Sequence, residues 1–233
     1  MQKIRIQKFL SEAGVCSRRQ AEEYIKKELI KVNDETIREL GTKIDPEKDI
    51  IKFNDKVVKK EDYIYILLNK PVGYVSSFYH KGKKTLSDLI KIKEHLGYAG
   101  RLDEYSEGLM LLTNDGNLIN RLTHPRHEHE KEYLVETKEP IPDAVINRLE
   151  KGIMLFEGRT NPVSIKRRDS NKFLITLKEG KNRQIRRMLQ IVKITTKKLK
   201  RVRIGNLVLG SLKPGMYRYL EEEEVKNLKK ISQ

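Results

Sequence analysis

Gly100–Gly116, with the sequence GRLDEYSEGLMLLTNDG, is the stretch that most constrains the fold of this chain. Leu109–Leu112 form an unbroken apolar run between turn residues, which is typical of a buried strand. The Asn-Asp-Gly triplet at 114–116 predicts a turn built from residues that tolerate a positive φ. We therefore expect Asp103 on a loop just before a core strand, where a scaffold holds a carboxylate rigidly and leaves it open to a substrate. A structural role, in which Asp103 caps a turn or pairs with Arg101, is the alternative.

The chain is strongly basic, and its charge is unevenly distributed. It has 49 Lys and Arg against 33 Asp and Glu, a net charge of +16. Residues 181–203 contain ten basic residues and no acidic one, which makes a local positive field suited to a phosphate backbone. No apolar run of about 18 residues and no signal-peptide pattern occurs, so we expect a cytoplasmic protein with no membrane partner. The single cysteine, Cys16, excludes an intrachain disulfide and fits that compartment.

The first sixty residues have the pattern of a small compact unit. A first helix is predicted because apolar residues recur at helical spacing at Ile6, Phe9, Leu10 and Ala13, and Gly14 is placed to end it. A second helix begins with a capping box, in which Ser17 caps and Gln20 stands three residues on. Short strands and turns are predicted to follow, including strands at residues 30–32 and 50–53.

Two arginines in the first turn of that second helix indicate a binding role. Cations at Arg18 and Arg19 oppose the helix macrodipole at a cost of roughly 0.3–1 kcal/mol each, so stability would not select them there. A helix N-terminus with two guanidinium groups is, however, a good phosphate clamp. The alternative is a pair of solvated arginines without a function.

A domain boundary is predicted in the polar segment of residues 56–62, because a strongly apolar strand follows at residues 63–68. We therefore divide the chain into domains 1–60 and 61–233. Pro71 and Gly73 are predicted to turn the end of that strand. No Gly-x-Gly-x-x-Gly occurs, and the basic loop around Gly82 lacks the glycine and lysine spacing of a phosphate-binding P-loop, so no nucleotide cofactor is expected.

Three further segments carry candidate functional residues. His124, His127 and His129 lie close together, but their spacing fits no standard zinc pattern, so we expect no metal site. KEYLVE, residues 131–136, alternates as a strand with Lys131 and Tyr133 on one face; a core position is the alternative for the tyrosine. EGKNRQIRRML, residues 179–189, predicts a helix with one apolar face and several arginines on the others, for which a solvated basic face is the alternative.

These segments, in this order, resemble two known modules. Residues 2–55 resemble the S4 RNA-binding domain, through IRIQKFLSEAGVCSRRQAEEYI, KVND and GTKIDPEKD. Two departures are Glu28, where a glycine is usual, and Asn33-Asp34, where an Asn-Gly turn is usual. The remainder resembles the RsuA-type bacterial ribosomal RNA pseudouridine synthases, through GRLDEYSEGLMLLTNDG, KEYLVE, EGKNRQIRRML and LKRVRIGNLVLGSLKPGMYRYL. The resemblance implies an α+β protein: a small S4-like domain, then a mixed, mostly antiparallel sheet with helices on its flanks and a cleft across it.

The resemblance also assigns roles to residues. Asp103 falls on the family's catalytic aspartate, Tyr133 on the tyrosine that lies against the target base, and Arg186 on the basic residue that pairs with the aspartate. Tyr105 departs from the acidic residue that many members carry there. The expected RNA contacts are Arg5, Lys8, Arg18, Arg19, Arg101, Lys131, Arg183 and Arg187.

The implied activity is the isomerisation of a specific uridine to pseudouridine in ribosomal RNA, without a cofactor. The wording of HEHEKEYLV and NRQIRRM is closest to members that act on the large-subunit (23S) RNA. We expect a monomer that acts on ribosomal RNA, free or in an assembling subunit. The alternatives are a synthase for small-subunit RNA or transfer RNA, and a non-catalytic ribosomal RNA-binding assembly factor.

Overall fold

The chain forms two compact units in a computed structural model that describes residues 3–59, 62–124 and 128–231. Of the described residues, unit 1 takes those within Met1–Ile64, Ile92–Gly97 and Thr113–Gly116. Unit 2 takes those within Tyr65–Lys91, Tyr98–Leu112 and Asn117–Gln233. The division predicted between residues 60 and 61 falls on two residues outside the described ranges, so it stays a prediction.

Unit 1 is a two-helix layer on short antiparallel strands. Its elements are β1 Ile4–Arg5, α1 Ile6–Glu12, α2 Arg18–Lys26, β2 Ile30–Val32, β3 Glu35–Thr36, β4 Lys43–Ile44, β5 Ile51–Phe53 and β6 Lys56–Val57. Strands β2, β3, β5 and β6 pair in the order β3-β2-β5-β6, and β1 pairs with β4.

The local signals of unit 1 are confirmed. Gly14 follows α1 with a φ of +72°, and the Ser17–Gln20 capping box opens α2 through two reciprocal hydrogen bonds of 3.2 and 2.9 Å. Cys16 is buried in the core between the helices, and burial raises the pKa of its thiol to about 11. Glu28 has a φ of +57°, so it adopts the left-handed backbone expected of the glycine it replaces.

Most of the remaining strands build a larger mixed sheet with helices beside it. The remaining elements are β7 Tyr65–Lys70, α3 Leu86–Leu89, β8 Gly97–Tyr98, β9 Glu107–Thr113, α4 Gly116–Thr123, β10 Lys131–Thr137, α5 Asp143–Glu150, β11 Met154–Leu155, β12 Gly158–Arg159, β13 Ser164–Asp169, β14 Lys172–Leu177, α6 Gln184–Ile191, β15 Thr196–Ile204, β16 Leu207–Val208, β17 Tyr217–Tyr219 and α7 Glu222–Ile231. The strand order of the large sheet is β13-β14-β10-β15-β9-β7-β17, with β16 paired to β15 and β8 to β9, while β11 and β12 form a separate two-stranded sheet.

The predicted fold class is confirmed by this sheet. Strand β15 runs parallel to β9 and antiparallel to β10, while β14 pairs antiparallel with both β10 and β13. The apolar run Leu109–Leu112 is fully buried within β9, as predicted. Helix α6 turns Ile185, Met188 and Leu189 into the core beneath β10 and β14. Within the described ranges, no helix is long and apolar enough to cross a membrane.

Three local predictions are corrected. Residues 114–116 form a bend that leads into α4, and none of them has a positive φ; the Asn114 side chain instead holds the bend, accepting from the Ile64 N–H and donating to the Asp62 carbonyl. The strand predicted at 63–68 begins at Tyr65 and continues to Lys70. Val208 of β16, which the apolar run at residues 207–209 predicts to be sheet core, is 56% exposed.

Candidate active site

An open pocket of about 430 Å³ lies in unit 2 between the loop before β9, strand β10 and the loop before α6. Residues from distant parts of the sequence line it because β10 and the two loops meet at this end of the sheet. Five of the predicted site residues share the pocket: Arg101, Asp103, Lys131, Tyr133 and Arg183.

The loop that carries Asp103 is held on one side by the turn after β7. The buried hydroxyl of Ser76 donates to the Leu102 carbonyl at 2.7 Å and accepts from the Leu102 N–H at 3.0 Å. The Gly73 N–H donates to the Glu104 carbonyl at 2.8 Å. Because the residues on both sides of Asp103 are fixed, its half-buried carboxylate is presented from a rigid backbone.

Arg201 of β15 holds the same loop from beneath. Its side chain is 1% exposed, and its guanidinium donates to the carbonyls of Leu109, Gly100 and Arg101 at 2.7, 3.2 and 3.4 Å. Hydrogen bonds from a charged donor are stronger than neutral ones. A buried cation therefore ties the start of the Asp103 loop to the sheet.

Gly108 lets β9 and β15 approach closely at this point. The parallel register places Gly108 opposite Arg201. Gly108 has a φ of +111°, and a Cβ built on it would lie 2.2 Å from the Arg201 carbonyl oxygen. The position beside the Asp103 loop thus needs glycine both for its backbone conformation and for space.

Strand β10 brings Tyr133 and Lys131 to the pocket on the predicted face. Tyr133 is half-buried and packs against the core, between Ile175 of β14 and Arg201 of β15 in the sheet register. Lys131 donates to the His129 carbonyl at 3.2 Å. Burial lowers the pKa of Lys131, and the charge of Arg201 lowers it further.

Lys70, at the end of β7, is a fully buried amine near this site. Its Nζ donates to the carbonyls of Pro71 and Tyr74 at 2.9 and 2.8 Å. Burial lowers the pKa of Lys70 to about 8, although the charges of Asp103 and Glu104 act in the opposite direction. Lys70 therefore fixes the turn that anchors the Asp103 loop.

Arg186 does not make the direct pair with Asp103 that was predicted. Its guanidinium donates to the Tyr105 carbonyl at 2.6 Å and to the Ser106 hydroxyl at 3.4 Å. Burial lowers the pKa of Arg186, and the Asp103 charge raises it. Among the described residues, the two side chains form no ion pair within 4.0 Å, so Arg186 holds the backbone after Asp103 and interacts with its carboxylate over a longer distance.

The loop before α6 has a strained residue at its end. Arg183 precedes the helix with a φ of +48°, in the left-handed region, and its exposed side chain lines the pocket. Gln184 closes the loop by accepting from the Lys181 N–H and donating to Glu179. Arg187, also predicted to contact RNA, lies outside the pocket and forms a two-point ion pair with Glu157.

The other predicted RNA contacts belong to unit 1. Arg5, Arg18 and Arg19 are exposed, while Lys8 is half-buried with its Nζ 3.7 Å from a carboxylate oxygen of Glu12. Their RNA-binding role stays a prediction. His127 of the histidine segment lies outside the described residues, and the described ranges contain no group of three or more potential metal ligands.

Sequence reasoning missed Lys70, Ser76 and Arg201. Lys70 and Ser76 lie in NKPVGYVSS, which predicts only a turn. Arg201 lies in a segment whose apolar residues alone were interpreted, as sheet core. One signal was available for Arg201, since Leu199 and Arg201 are two apart and therefore share a strand face. A cation on the face of a buried leucine needs a specific set of acceptors.

Comparisons with known proteins show which families and relatives this chain is similar to. A family model described as RNA pseudouridylate synthase matches residues 64–191, and one described as S4 domain matches residues 4–51. The chain is 42% identical over 235 residues to an uncharacterized RNA pseudouridine synthase of Aquifex aeolicus, covering 98% of this chain and 94% of the relative. It is 39% identical over 236 residues to ribosomal large subunit pseudouridine synthase B of Bacillus subtilis, covering 98% and 96%. A crystal structure of a pseudouridylate synthase matches with a TM-score of 0.72 and 33% identity, over 97% of this chain and 99% of that one.

Proposed function

The chain belongs to the RNA pseudouridylate synthase family and carries an S4 domain, and from that premise we propose that it converts a specific uridine to pseudouridine in large-subunit ribosomal RNA. The large-subunit assignment is supported by the Bacillus subtilis relative, whose name gives that substrate. We further propose that Asp103 is the nucleophile, with Tyr133 and Arg186 beside it.

The pocket shared by Asp103 and Tyr133 is the observation that supports this assignment most. The isomerisation breaks the bond between uracil N1 and ribose C1′ and forms a bond between uracil C5 and C1′. The C5 proton is released and N1 takes up a proton, so the reaction consumes no oxidant or reductant. A covalent carboxylate adduct divides such a rearrangement into two easier steps.

Tyr133 has the placement of a wall for the target base. A base must leave its stack to be modified, and an aromatic face recovers about 1–3 kcal/mol per stacked base. The half-buried ring is fixed by the core packing of β10, so it is oriented before the base arrives. Arg101, Lys131 and Arg183 add positive charge at the rim and walls of the same pocket, where phosphates of the flipped nucleotide would lie.

Asp103→Asn tests the nucleophile. The change keeps the shape of the side chain but removes its charge, so it should abolish release of tritium from C5 of labelled uridine in a large-subunit RNA transcript while RNA affinity in filter binding stays near wild type. Glu104→Gln is the matched control, because Glu104 lies on the same loop with its carboxylate bound to Lys83. It should retain turnover.

Turnover near wild type in Asp103→Asn would exclude Asp103 as the nucleophile. If the wild-type protein releases no tritium from any RNA offered, the non-catalytic assembly factor becomes the better account. Transcripts of large-subunit RNA, small-subunit RNA and transfer RNA in parallel separate the substrate classes. We place this activity in the cytoplasm and expect a monomer, which size-exclusion chromatography with light scattering would test.

A further inference from the structure

We propose that the hairpin Met154–Arg159 and the adjoining end of α5 form a second RNA-contact surface, on which Phe156 stacks against an unpaired base outside the catalytic pocket. This inference rests on the proposed RNA substrate and adds a contact to it.

The 154–159 hairpin presents its aromatic ring entirely to solvent. Strands β11 and β12 pair Met154 with Arg159 and Leu155 with Gly158, so Phe156 and Glu157 form a two-residue loop at the tip. Leu155 is buried in the core, whereas the Phe156 side chain is fully exposed. A flat ring that is fully exposed on a tight turn has the geometry on which a base stacks.

The hairpin is rigidly braced. The Arg187 guanidinium bonds both carboxylate oxygens of Glu157, at 2.7 and 2.5 Å, and Lys181 donates to the Arg159 carbonyl at 2.8 Å. The bond from Arg187 lowers the pKa of Glu157 to about 2, so this pair is intact at neutral pH. A binding residue on a fixed scaffold loses little conformational entropy when its partner arrives.

The braces of the hairpin belong to the wall of the catalytic pocket. Lys181 and Glu179 line the pocket, and Glu179 also accepts from the Asn161 N–H just after β12. Arg187 is the neighbour of Arg186, which holds the loop after Asp103. The hairpin is therefore hydrogen-bonded to residues of that wall, and we expect RNA seated in the pocket to reach it.

A depression lined in part by Met154 and Arg159 of the 154–159 hairpin has the charge of a phosphate site. This open depression of about 460 Å³ is lined by Arg148, Lys151 and Arg159 together with Met154 and Ile191, and none of its lining residues is acidic. Met154 and Ile191 are 61% and 41% exposed.

The carboxylates around this depression are already engaged. Asp143 pairs with Arg167 at 2.6 Å, and Glu150 accepts from the Ile165 N–H. In the described part of the chain, Arg148 and Lys151 form no ion pair. Unpaired cations near a hairpin with an exposed aromatic ring favour RNA over a protein partner, because phosphates bind the cations while a base stacks on the ring.

Substitutions at position 156 in the full chain test the stacking. We would measure the affinity of an in vitro large-subunit RNA transcript for Phe156→Ala, Phe156→Leu and Phe156→Tyr. Alanine and leucine both remove the aromatic face and should weaken binding on the order of tenfold, while tyrosine keeps the face and should bind like wild type. Tyr219→Ala, which removes an exposed ring from β17, is the matched control and should bind like wild type.

Two further measurements locate the contact and its charge. A photo-crosslinking amino acid at position 156 should crosslink to the transcript, whereas the same amino acid at position 219 should not. Arg148→Ala with Lys151→Ala should lower the slope of log affinity against log salt by about 0.7–0.9 for each lost phosphate contact.

Unchanged RNA affinity in Phe156→Ala, together with no crosslink from position 156, would overturn the proposal and leave the surface to another kind of partner. Equal weakening by alanine, leucine and tyrosine would overturn the stacking itself. The binding measurements do not depend on turnover. Wild-type protein that leaves every ribosomal uridine unchanged would remove the proposed substrate, while the response of RNA affinity to position 156 would still decide the role of the hairpin.

Discussion

At the scale of single residues, the loop that carries Asp103 is held by cations that bond its backbone. Arg201, Lys70 and Arg186 each donate to carbonyl groups of this loop or of the turn that anchors it. Bonds from charged donors are worth roughly 1.5–3 kcal/mol each. Because these cations bond carbonyl groups, they add positive potential near Asp103 and leave its carboxylate oxygens available to a substrate.

Arg186 gives the first residue-level prediction. Arg186→Ala removes the donor to the Tyr105 carbonyl and a positive charge that acts on Asp103, so kcat should fall on the order of 100-fold. Arg186→Lys should retain more activity, because the charge remains while the planar fork is lost. Single-turnover kinetics with saturating RNA would measure both. Wild-type kcat in Arg186→Ala would make Arg186 a surface residue without a catalytic role.

Lys70 gives a prediction of pH dependence. Its pKa in the folded chain, about 8, lies below the ordinary 10.5 of the unfolded chain. Between these values the unfolded state binds more protons, so the group's contribution to stability rises with pH. The stability of wild type relative to Lys70→Met should therefore increase by about 3 kcal/mol from pH 8 to pH 10.5.

Urea unfolding of the two proteins across this range would measure the difference. The other lysines titrate equally in both, so they cancel. Parallel stability curves would show that Lys70 keeps an ordinary pKa in the folded protein.

The position of Asp103 could be predicted from sequence because its loop is adjacent to an unmistakable apolar run. The roles of Lys70 and Arg201 could not, because both depend on acceptors that are distant in sequence or hidden in a turn. Arg186 was predicted to pair with the Asp103 carboxylate, whereas its guanidinium bonds the Tyr105 carbonyl. Residue type and helical spacing bring the guanidinium to the site, but the loop's own carbonyl groups compete for it.

At the scale of elements, two glycines with nearly the same φ separate the cost of backbone strain from the cost of crowding. Gly108 and Gly158 have φ values of +111° and +114°, yet a Cβ on Gly108 meets the Arg201 backbone while one on Gly158 meets nothing within 4 Å. Gly158→Ala should lower the free energy of unfolding only by the strain of its positive φ, on the order of 1–3 kcal/mol. Gly108→Ala should cost more, because β9 and β15 must also separate.

Urea unfolding of the two alanine variants would measure both costs. If Gly108→Ala is insoluble, the soluble fraction of each alanine variant after expression ranks the two substitutions in the same way. Equal losses of stability would mean that the approach of β9 to β15 carries no additional constraint.

The N-terminal turn of α2 offers a second element-level prediction. Arg18→Ala with Arg19→Ala should weaken RNA binding and flatten its salt dependence by about 0.9 per lost phosphate contact, although removing cations from a helix N-terminus favours the helix. Lys26→Ala with Lys27→Ala removes the same charge from the other end of α2, where cations are favourable. That control should lower thermal stability and leave the salt slope nearly unchanged.

Filter binding across a salt series, with thermal unfolding beside it, measures both pairs. An identical salt slope in the Arg18/Arg19 variant and wild type would remove these arginines from the RNA interface.

Element boundaries followed local chemistry where caps and turns are strong. The Ser17 capping box and the Gly14 stop are both predicted from adjacent residues. Residues 114–116 departed from prediction because the Asn114 amide binds the backbone of residues 62 and 64. A contact across fifty residues has no trace in the triplet itself.

At the scale of the whole molecule, the fold class and the order of modules were predictable, whereas the strand order was not. Alternation and apolar runs identify strands, but the parallel pairing of Lys200 with Glu107 joins segments that local patterns do not connect. The uneven distribution of charge, in contrast to the strand pairing, could be predicted from the sequence. A field depends on composition over a region, so the basic stretch at 181–203 is visible without knowing where each side chain lies.

The long reach of Arg201 also sets an order of events during protein synthesis. The carbonyls it holds belong to residues 92 to 101 positions earlier in the chain. At translation rates of about 5–20 residues per second, roughly 5–20 s pass between the synthesis of the Asp103 loop and that of its anchor. A nascent chain that has emerged only as far as β14 therefore exposes an aspartate loop without the arginine that fixes it, and the enzyme becomes competent only once β15 has left the ribosome and paired with β9.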